Sequence, residues 1–202
     1  MIGVIDYGVG NIVAISNLLQ KVGATFMRIS KPDDLKGVNL RDLKVILPGV
    51  GSFDAGMRSL GQSGLEQTIK DLANTEVQIL GICLGMQLLF EGSAEGNLRG
   101  LGLLKGSLVG LQADRTFRVP HVGWQVIKKS REEPLLEGVQ KLSFYHNHSF
   151  GLSSPNVAEF ASIEYGSSYV VGVRNGNISG VQFHPEKSHG SGEKLIRNFV
   201  AI

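Results

Sequence analysis

Over roughly the first ninety positions, short apolar runs alternate with apolar residues at helical spacing. Ile2–Ile5 is a short run closed by Asp6-Tyr7-Gly8-Val9-Gly10-Asn11. Ile12, Ile15, Leu18, Leu19 and Val22 then recur at intervals of three and four until Gly23 stops them, the signature of an amphipathic helix. Phe26–Ile29 and Val45-Ile46-Leu47 read as the next two strands, the latter ended by Pro48-Gly49-Val50-Gly51. A helical pattern is predicted from Phe53 to about Leu72, a fourth strand over Val77–Ile82, and a helix over Leu84–Phe90. Strand, crossover helix, strand is how a chain builds a parallel sheet covered on both faces.

The second half carries more strand signals. Leu101–Leu111, Arg118–Lys128, Leu142–Tyr145, Val157–Glu164, Tyr169–Arg174 and Ile178–Phe183 all read as extended, with Asn175-Gly176 marking a hairpin turn. Gly192–Val200 is expected to be a closing helix that buries Leu195, Ile196 and Phe199. No repeat, low-complexity tract or linker interrupts the chain, so residues 1–202 are expected to form a single α/β domain with a mostly parallel central sheet flanked by helices.

Composition removes several classes of function. Hydrophobic residues make up 42% and charged residues 19%, proportions of a globular chain rather than a disordered one. The formal net charge is +2, and Lys and Arg are scattered, so no basic stripe points to nucleic acid. No apolar run reaches membrane-spanning length, and Met1–Asp6 lacks the basic region and cleavage site of a leader. One cysteine excludes an internal disulfide and, with no secretion signal, suggests a reducing compartment, the cytoplasm.

That cysteine is either an inert buried thiol or a nucleophile. It sits in Gly81-Ile82-Cys83-Leu84-Gly85, where an apolar strand ends and a helix begins. Small residues two before and two after a nucleophile permit the tight turn that exposes its side chain. A buried cysteine in a glycine-rich turn would leave the same trace. His184-Pro185-Glu186 follows the strand Gly180–Phe183. A thiol needs a base, and the base needs a partner to fix its tautomer. His184 and Glu186 are spaced to point the same way, although a lone loop histidine is the simpler reading of His184 by itself. Pro48-Gly49-Val50-Gly51-Ser52-Phe53 can turn backbone N–H groups toward a ligand as an oxyanion hole or anion nest. The phosphate-loop pattern is absent there, and Gly8-Val9-Gly10-Asn11 lacks the third glycine of a dinucleotide fingerprint.

Gly81-Ile82-Cys83-Leu84-Gly85-Met86-Gln87, together with Gln182-Phe183-His184-Pro185-Glu186, resembles the triad-type (class I) glutamine amidotransferases. Four segments in family order narrow the likeness to the glutaminase subunits of imidazole glycerol phosphate synthases. They are Ile5–Asn11, Leu47–Phe53, Val119-Pro120-His121-Val122-Gly123-Trp124 and His184–Ser188. The resemblance implies a flavodoxin-like three-layer sandwich in which Cys83 attacks the glutamine amide, His184 relays protons and Glu186 orients it. It implies an oxyanion hole from Leu84 and the Val50–Gly51 segment, remade by a backbone rearrangement near Val50 that the partner triggers. Glutamine would be held by Gly51, Gln87, Glu95, Ser149 and Phe150, with Glu95 on the α-ammonium. The implied partner is a (βα)8-barrel cyclase subunit forming a heterodimer through Asn11, Trp124, Tyr145 and Lys187 and taking ammonia through a tunnel, in a step of histidine biosynthesis. No metal or organic cofactor is implied, and the isolated subunit is expected to be a weak glutaminase.

The chain departs from that family at three places. Gln125-Val126-Ile127 follows Gly123-Trp124 directly, where the family usually has one more residue, typically Asn. The strand Phe144-Tyr145-His146-Asn147-His148-Ser149-Phe150 stands where Phe-Val-His-Ser/Thr-Tyr is more usual, so Phe150 lacks a hydroxyl and His146 has no assigned role. Lys187-Ser188-His189 resembles paralogues that feed ammonia to nucleotide-sugar amidation in surface-polysaccharide pathways. That paralogue reading stays open beside the first. So does a non-catalytic interaction module of the same fold, which an intact Cys83, His184 and Glu186 argues against. A cysteine hydrolase of the α/β-hydrolase type is disfavoured, because its acid precedes its histidine in the chain and Glu186 follows His184.

Overall fold

The computed structural model describes residues 1–153 and 159–202. In the first half, β1 (Ile2–Ile5), α1 (Ile12–Lys21), β2 (Phe26–Ile29), β3 (Lys44–Leu47), α2 (Phe53–Ser63), α3 (Leu65–Ala73), β4 (Gln78–Ile82) and α4 (Leu84–Leu88) follow the expected alternation. One expected helix is two. Gly64 adopts a left-handed conformation (φ 74°) that ends α2 and starts α3, so the pattern from Phe53 to Leu72 is broken in the middle. The second half contributes β5 (Gly92–Ser93), β6 (Ser107–Gly110), β7 (His121–Val126), β8 (Lys128–Lys129), β9 (Ser143–His148), β10 (Phe150–Gly151), β11 (Glu159–Tyr165), β12 (Ser167–Asn175), β13 (Ile178–Val181) and α5 (His189–Ala201). The extended reading of Leu101–Leu111 shrinks to β6. Leu101 and Leu104 are instead buried plugs in a turn-rich loop whose Gly102 and Gly106 have positive φ. Of the strand read over Val157–Glu164, the first two positions lie outside the described residues and β11 covers the rest.

Among the described residues, eight strands form the main sheet in the order β2-β1-β3-β4-β13-β12-β11-β8. The first five run parallel and the last three antiparallel, so the sheet is mostly parallel with an antiparallel extension. Side chains alternate between two apolar layers, as the pleat requires. Val45, Leu47 and Ile79 meet α2 and α3 through Phe53, Leu60, Leu65 and Ile69. On the opposite face Ile46, Leu80 and Ile82 join Leu19 of α1 with Leu195 and Phe199 of α5. These are the three expected layers. Two smaller sheets, β10-β6-β5 and β7-β9, stand outside the main one, and β9 is tied back to it by the His184 N–H donating to the Tyr145 carbonyl at 2.9 Å. Among the described residues no helix is long and apolar enough to cross a membrane.

Candidate active site

β4 and β13 are neighbours in the centre of the sheet, with Ile82 opposite Val181. Their C-terminal ends therefore deliver the residues that follow them to the same rim, where open α/β sheets form their clefts. Cys83 comes directly after β4 with φ 54° and ψ −112°, a backbone conformation rare for a residue with a side chain. Its neighbours explain how the chain tolerates it. A Cβ on Gly85 would lie 1.8 Å from the Leu47 carbonyl oxygen, and one on Gly81 would lie 2.7 Å from the Met86 Cα. Only glycine at both places lets the strand fold into α4 at this distance. Gly85→Ala is accordingly expected to destabilise the protein by about 1–3 kcal/mol. The check is a lower urea midpoint with an unchanged m-value; an unchanged midpoint would mean the turn is looser than its contacts say.

His184 and Glu186 meet as their spacing suggested, though not on a strand. β13 stops at Val181, and Pro185–Lys187 form a 3-10 turn that brings His184 Nδ1 within 2.7 Å of Glu186 Oε1. Both side chains are buried. Burial works against a charge on His184, but hydrogen bonds and attraction from Cys83 and Glu186 outweigh it and push the imidazole up to about 10. Ser188 ties this turn down: its hydroxyl donates to the His184 carbonyl (2.6 Å) and accepts from the Tyr145 N–H (3.0 Å).

Above Cys83 is a pocket of about 270 Å³ lined by Val50, Gly51, Leu84, Gln87, Glu95, Pro120, Asn147, His148, Ser149, Phe150 and His184. Every residue proposed for the oxyanion hole and for glutamine is on that wall. The 48–51 loop is gripped on one side and open on the other. A Cβ at Gly49 would meet the Tyr7 hydroxyl at 2.5 Å, and that hydroxyl donates to the Pro48 carbonyl at 2.9 Å. Gly51 (φ 110°) has no such neighbour, and Val50 is 42% exposed. Burial, and then the Cys83 charge, raises the Tyr7 phenol far above its ordinary value, so it remains a donor. Glu95 Oε2 accepts from the Phe53 N–H at 2.8 Å, and Asp54 clamps the same loop by accepting from the N–H groups of Asn97 and Leu98.

One residue quoted in the sequence motif but given no role there is buried behind this wall. Gln182 donates to Cys83 Sγ at 3.7 Å and accepts from Gln87 Nε2 at 3.0 Å, so it links the thiol to a pocket residue. Its signal was its place two residues before His184 at a strand end, where side chains alternate.

The four residues expected at an interface lie outside the pocket. Lys187 Nζ sits 5.4 Å over the Tyr145 ring, which meets Trp124 edge-on at 6.2 Å, and Trp124 stacks on His189 at 5.3 Å. Asn11 caps α1 by accepting from the Ala14 N–H, beside Gly10 and its contact with Gly49. Val122, Trp124 and Val126 alternate along β7 and are all exposed, an apolar face on a strand whose pairing with β9 is continuous from His121 to Val126. Gln125 therefore fits the ribbon without a bulge.

Residues 3–202 match the sequence model of the family described as "Glutamine amidotransferase class-I". Similar curated proteins are the "Imidazole glycerol phosphate synthase subunit HisH" of Bacillus licheniformis, 44% identical with 98% of this chain and 95% of that one aligned, and that of Bacillus subtilis, 42% identical over 100% and 96%. The protein of the same name from Leptospira borgpetersenii is 38% identical over the full length of both. Among solved structures, "Structure of PurLQS from Thermotoga maritima" superimposes with a TM-score of 0.73 at 22% identity over 99% of this chain and 97% of that one, a likeness of fold.

Proposed function

We propose, from the premise that this chain belongs to the class I glutamine amidotransferases, that it is the glutaminase subunit of an imidazole glycerol phosphate synthase. The observation that carries the chemistry is the placement of Cys83 and His184 just past the ends of adjacent central strands, both opening on one pocket, with Glu186 2.7 Å behind the His184 ring. Full-length relatives bearing the synthase name favour this reading over nucleotide-sugar amidation.

In the proposed reaction, glutamine lies in the pocket with its α-ammonium on Glu95 and its side-chain amide over Cys83. Cys83 gives its thiol proton to His184 as the sulfur attacks the amide carbon, and the developing oxyanion is met by the Leu84 N–H and one from the Val50–Gly51 segment. The imidazolium of His184 gives its proton to the departing nitrogen, so ammonia leaves and a glutamyl thioester remains. Water then attacks the thioester with His184 as base, releasing glutamate and restoring the thiol. Glu186 holds the ring and its tautomer throughout. The partner is a (βα)8-barrel cyclase that receives the ammonia, docking on the face built from Trp124, Tyr145, Lys187 and Asn11. Gly51 is the point about which the open side of the loop turns its N–H group once the partner binds.

The test is glutamate release from glutamine by the pure chain, alone and with a cyclase subunit and its ribulosyl ligand. Weak release alone and strong stimulation by the loaded partner are expected. High activity in the pure chain would refute gating at Val50–Gly51, and no stimulation would refute the cyclase as partner. Trp124→Ala is expected to weaken partner affinity by about 2 kcal/mol, roughly 30-fold, because a half-exposed indole on an apolar face is the kind of anchor that dominates interfaces. Titration calorimetry measures it, and basal glutamate release should stay unchanged because Trp124 is not on the pocket wall.

A further inference from the structure

Beneath the pocket, between β7 and β9, three histidines face one another. The register pairs His121 with His148 and Gly123 with His146. Because residues two apart on a strand share a face, His146 and His148 point together toward His121. All three are buried, and one nitrogen of each lies within 4.8 Å of the others. His121 and His146 stack at 4.9 Å, and His148 meets His121 edge-on at 5.3 Å.

Hydrogen bonding within the cluster is incomplete in a telling way. His148 Nδ1 is 2.9 Å from the Phe150 carbonyl, so its proton is there and Nε2 carries a lone pair. His146 Nδ1 lies 3.2 Å from that Nε2. Among the described residues, His121 Nδ1 and His146 Nε2 are buried with no hydrogen-bond partner. Buried polar atoms are nearly always satisfied, so the orphaned His121 nitrogen, in one cluster with the His148 lone pair, calls for a missing group. A ring held at one nitrogen by a backbone carbonyl, leaving the other free, is also the arrangement that orients histidine on a metal. A separation of 3.2 Å is close to the ~3.3 Å that two nitrogens show when each is ~2.0–2.1 Å from one tetrahedral zinc.

We propose that His121, His146 and His148 form a binding site for one divalent late transition-metal ion of the zinc class, pinning β7 to β9 at the base of the pocket. The donor set is right for that class: three imidazoles suit zinc, cobalt or nickel and not the oxygen-seeking calcium or magnesium. Among the described residues no fourth His, Cys, Asp or Glu joins the group, so the remaining position takes a non-protein ligand such as water. The site's place explains what occupancy does. His148 is in the pocket wall and β9 carries Tyr145 on the outer face, so one ion fixes the strand that links the two. This inference is independent of the reaction assigned to Cys83.

Cobalt(II) tests it, since tetrahedral coordination gives visible d–d absorption. The full chain carrying Cys83→Ala, stripped with chelator, should take up one equivalent of Co²⁺ with that absorption, and added Zn²⁺ should displace it. His146→Phe in the same background places an apolar ring of similar shape in the strand and should weaken uptake by at least 100-fold. His121→Gln serves as the second variant, with circular dichroism and urea midpoints confirming that each is folded. The proposal is overturned if the stripped chain takes up no stoichiometric ion, if uptake survives in both folded histidine variants, or if an ion binds only when Cys83 is present.

Discussion

Cys83→Ala is expected to lower glutamate release by a factor of about 10⁴ or more, leaving at most the residual rate that pocket and oxyanion donors supply by themselves. The size of the effect follows from the chemistry. Without sulfur no thioester forms, and hydrolysis must proceed by direct attack of water on an unactivated amide. The substitution removes little packing, since the thiol's partners are long contacts to the Asn147 carbonyl (4.0 Å) and Gln182 (3.7 Å). Glutamine binding, read by calorimetry on the variant, should therefore persist while turnover is lost. Loss of both together would point to a collapsed pocket instead of a missing nucleophile. Turnover that survives the substitution would remove Cys83 from the reaction.

The second large effect is expected at Glu186. Glu186→Gln keeps the shape and one hydrogen bond to His184 but removes the charge, and kcat should fall by up to ~10⁴ with KM little changed. The same substitution has a signature in pH. The folded-state value for His184 is raised above that of the unfolded chain, so its contribution to stability is complete below about 6.5 and is lost as pH rises through about 10. In the wild-type chain the His184 ring resonance, followed by nuclear magnetic resonance, should titrate near that upper value. In Glu186→Gln it should titrate lower, and the stability it confers should disappear at a correspondingly lower pH. A His184 midpoint that does not move would mean that Glu186 holds the ring by geometry alone.

What the sequence revealed and what it hid divide along physical lines. Local steric demands were legible: Gly81 and Gly85 flank Cys83 because backbone lies within van der Waals distance of both, and that pattern reads straight off the chain. So was the pairing of His184 with Glu186, which depends on two residues of spacing, although the turn that makes it is 3-10 and not extended. Features that depend on the backbone choosing between equal local options were not. Gly64 could have continued a helix at some cost in entropy, and instead its left-handed turn lets α3 pack back on α2. Leu101 and Leu104 had strand-like apolarity, but the positive φ of Gly102 and Gly106 turns them inward as plugs. The histidine cluster was invisible for another reason. Its members lie on two strands about 25 positions apart, and only the register of β7 against β9 brings them face to face. His146, unassigned from sequence, acquires neighbours only there. The pocket drew on residues from six separate segments, of which the motif-bearing ones were readable, and Gln182 behind them was passed over.

The position of β13 bears on how the molecule comes into being. It inserts between β4 and β12, and it is the last strand of the sheet to be synthesised. Until it arrives, β4 presents an unpaired apolar edge, with Ile79, Leu80 and Ile82 on a growing chain that has already produced α1 to α4. Pairing strands roughly a hundred residues apart is slow, and an open parallel edge is a template for wrong partners in the meantime. Refolding yield should therefore be governed by how fast residues 178–181 reach β4, and recovered activity should lag the recovery of helix. The proposed nucleophile and base come from the two sides of that one late pairing, so on that reading a molecule that has not closed its sheet has no means of cutting glutamine.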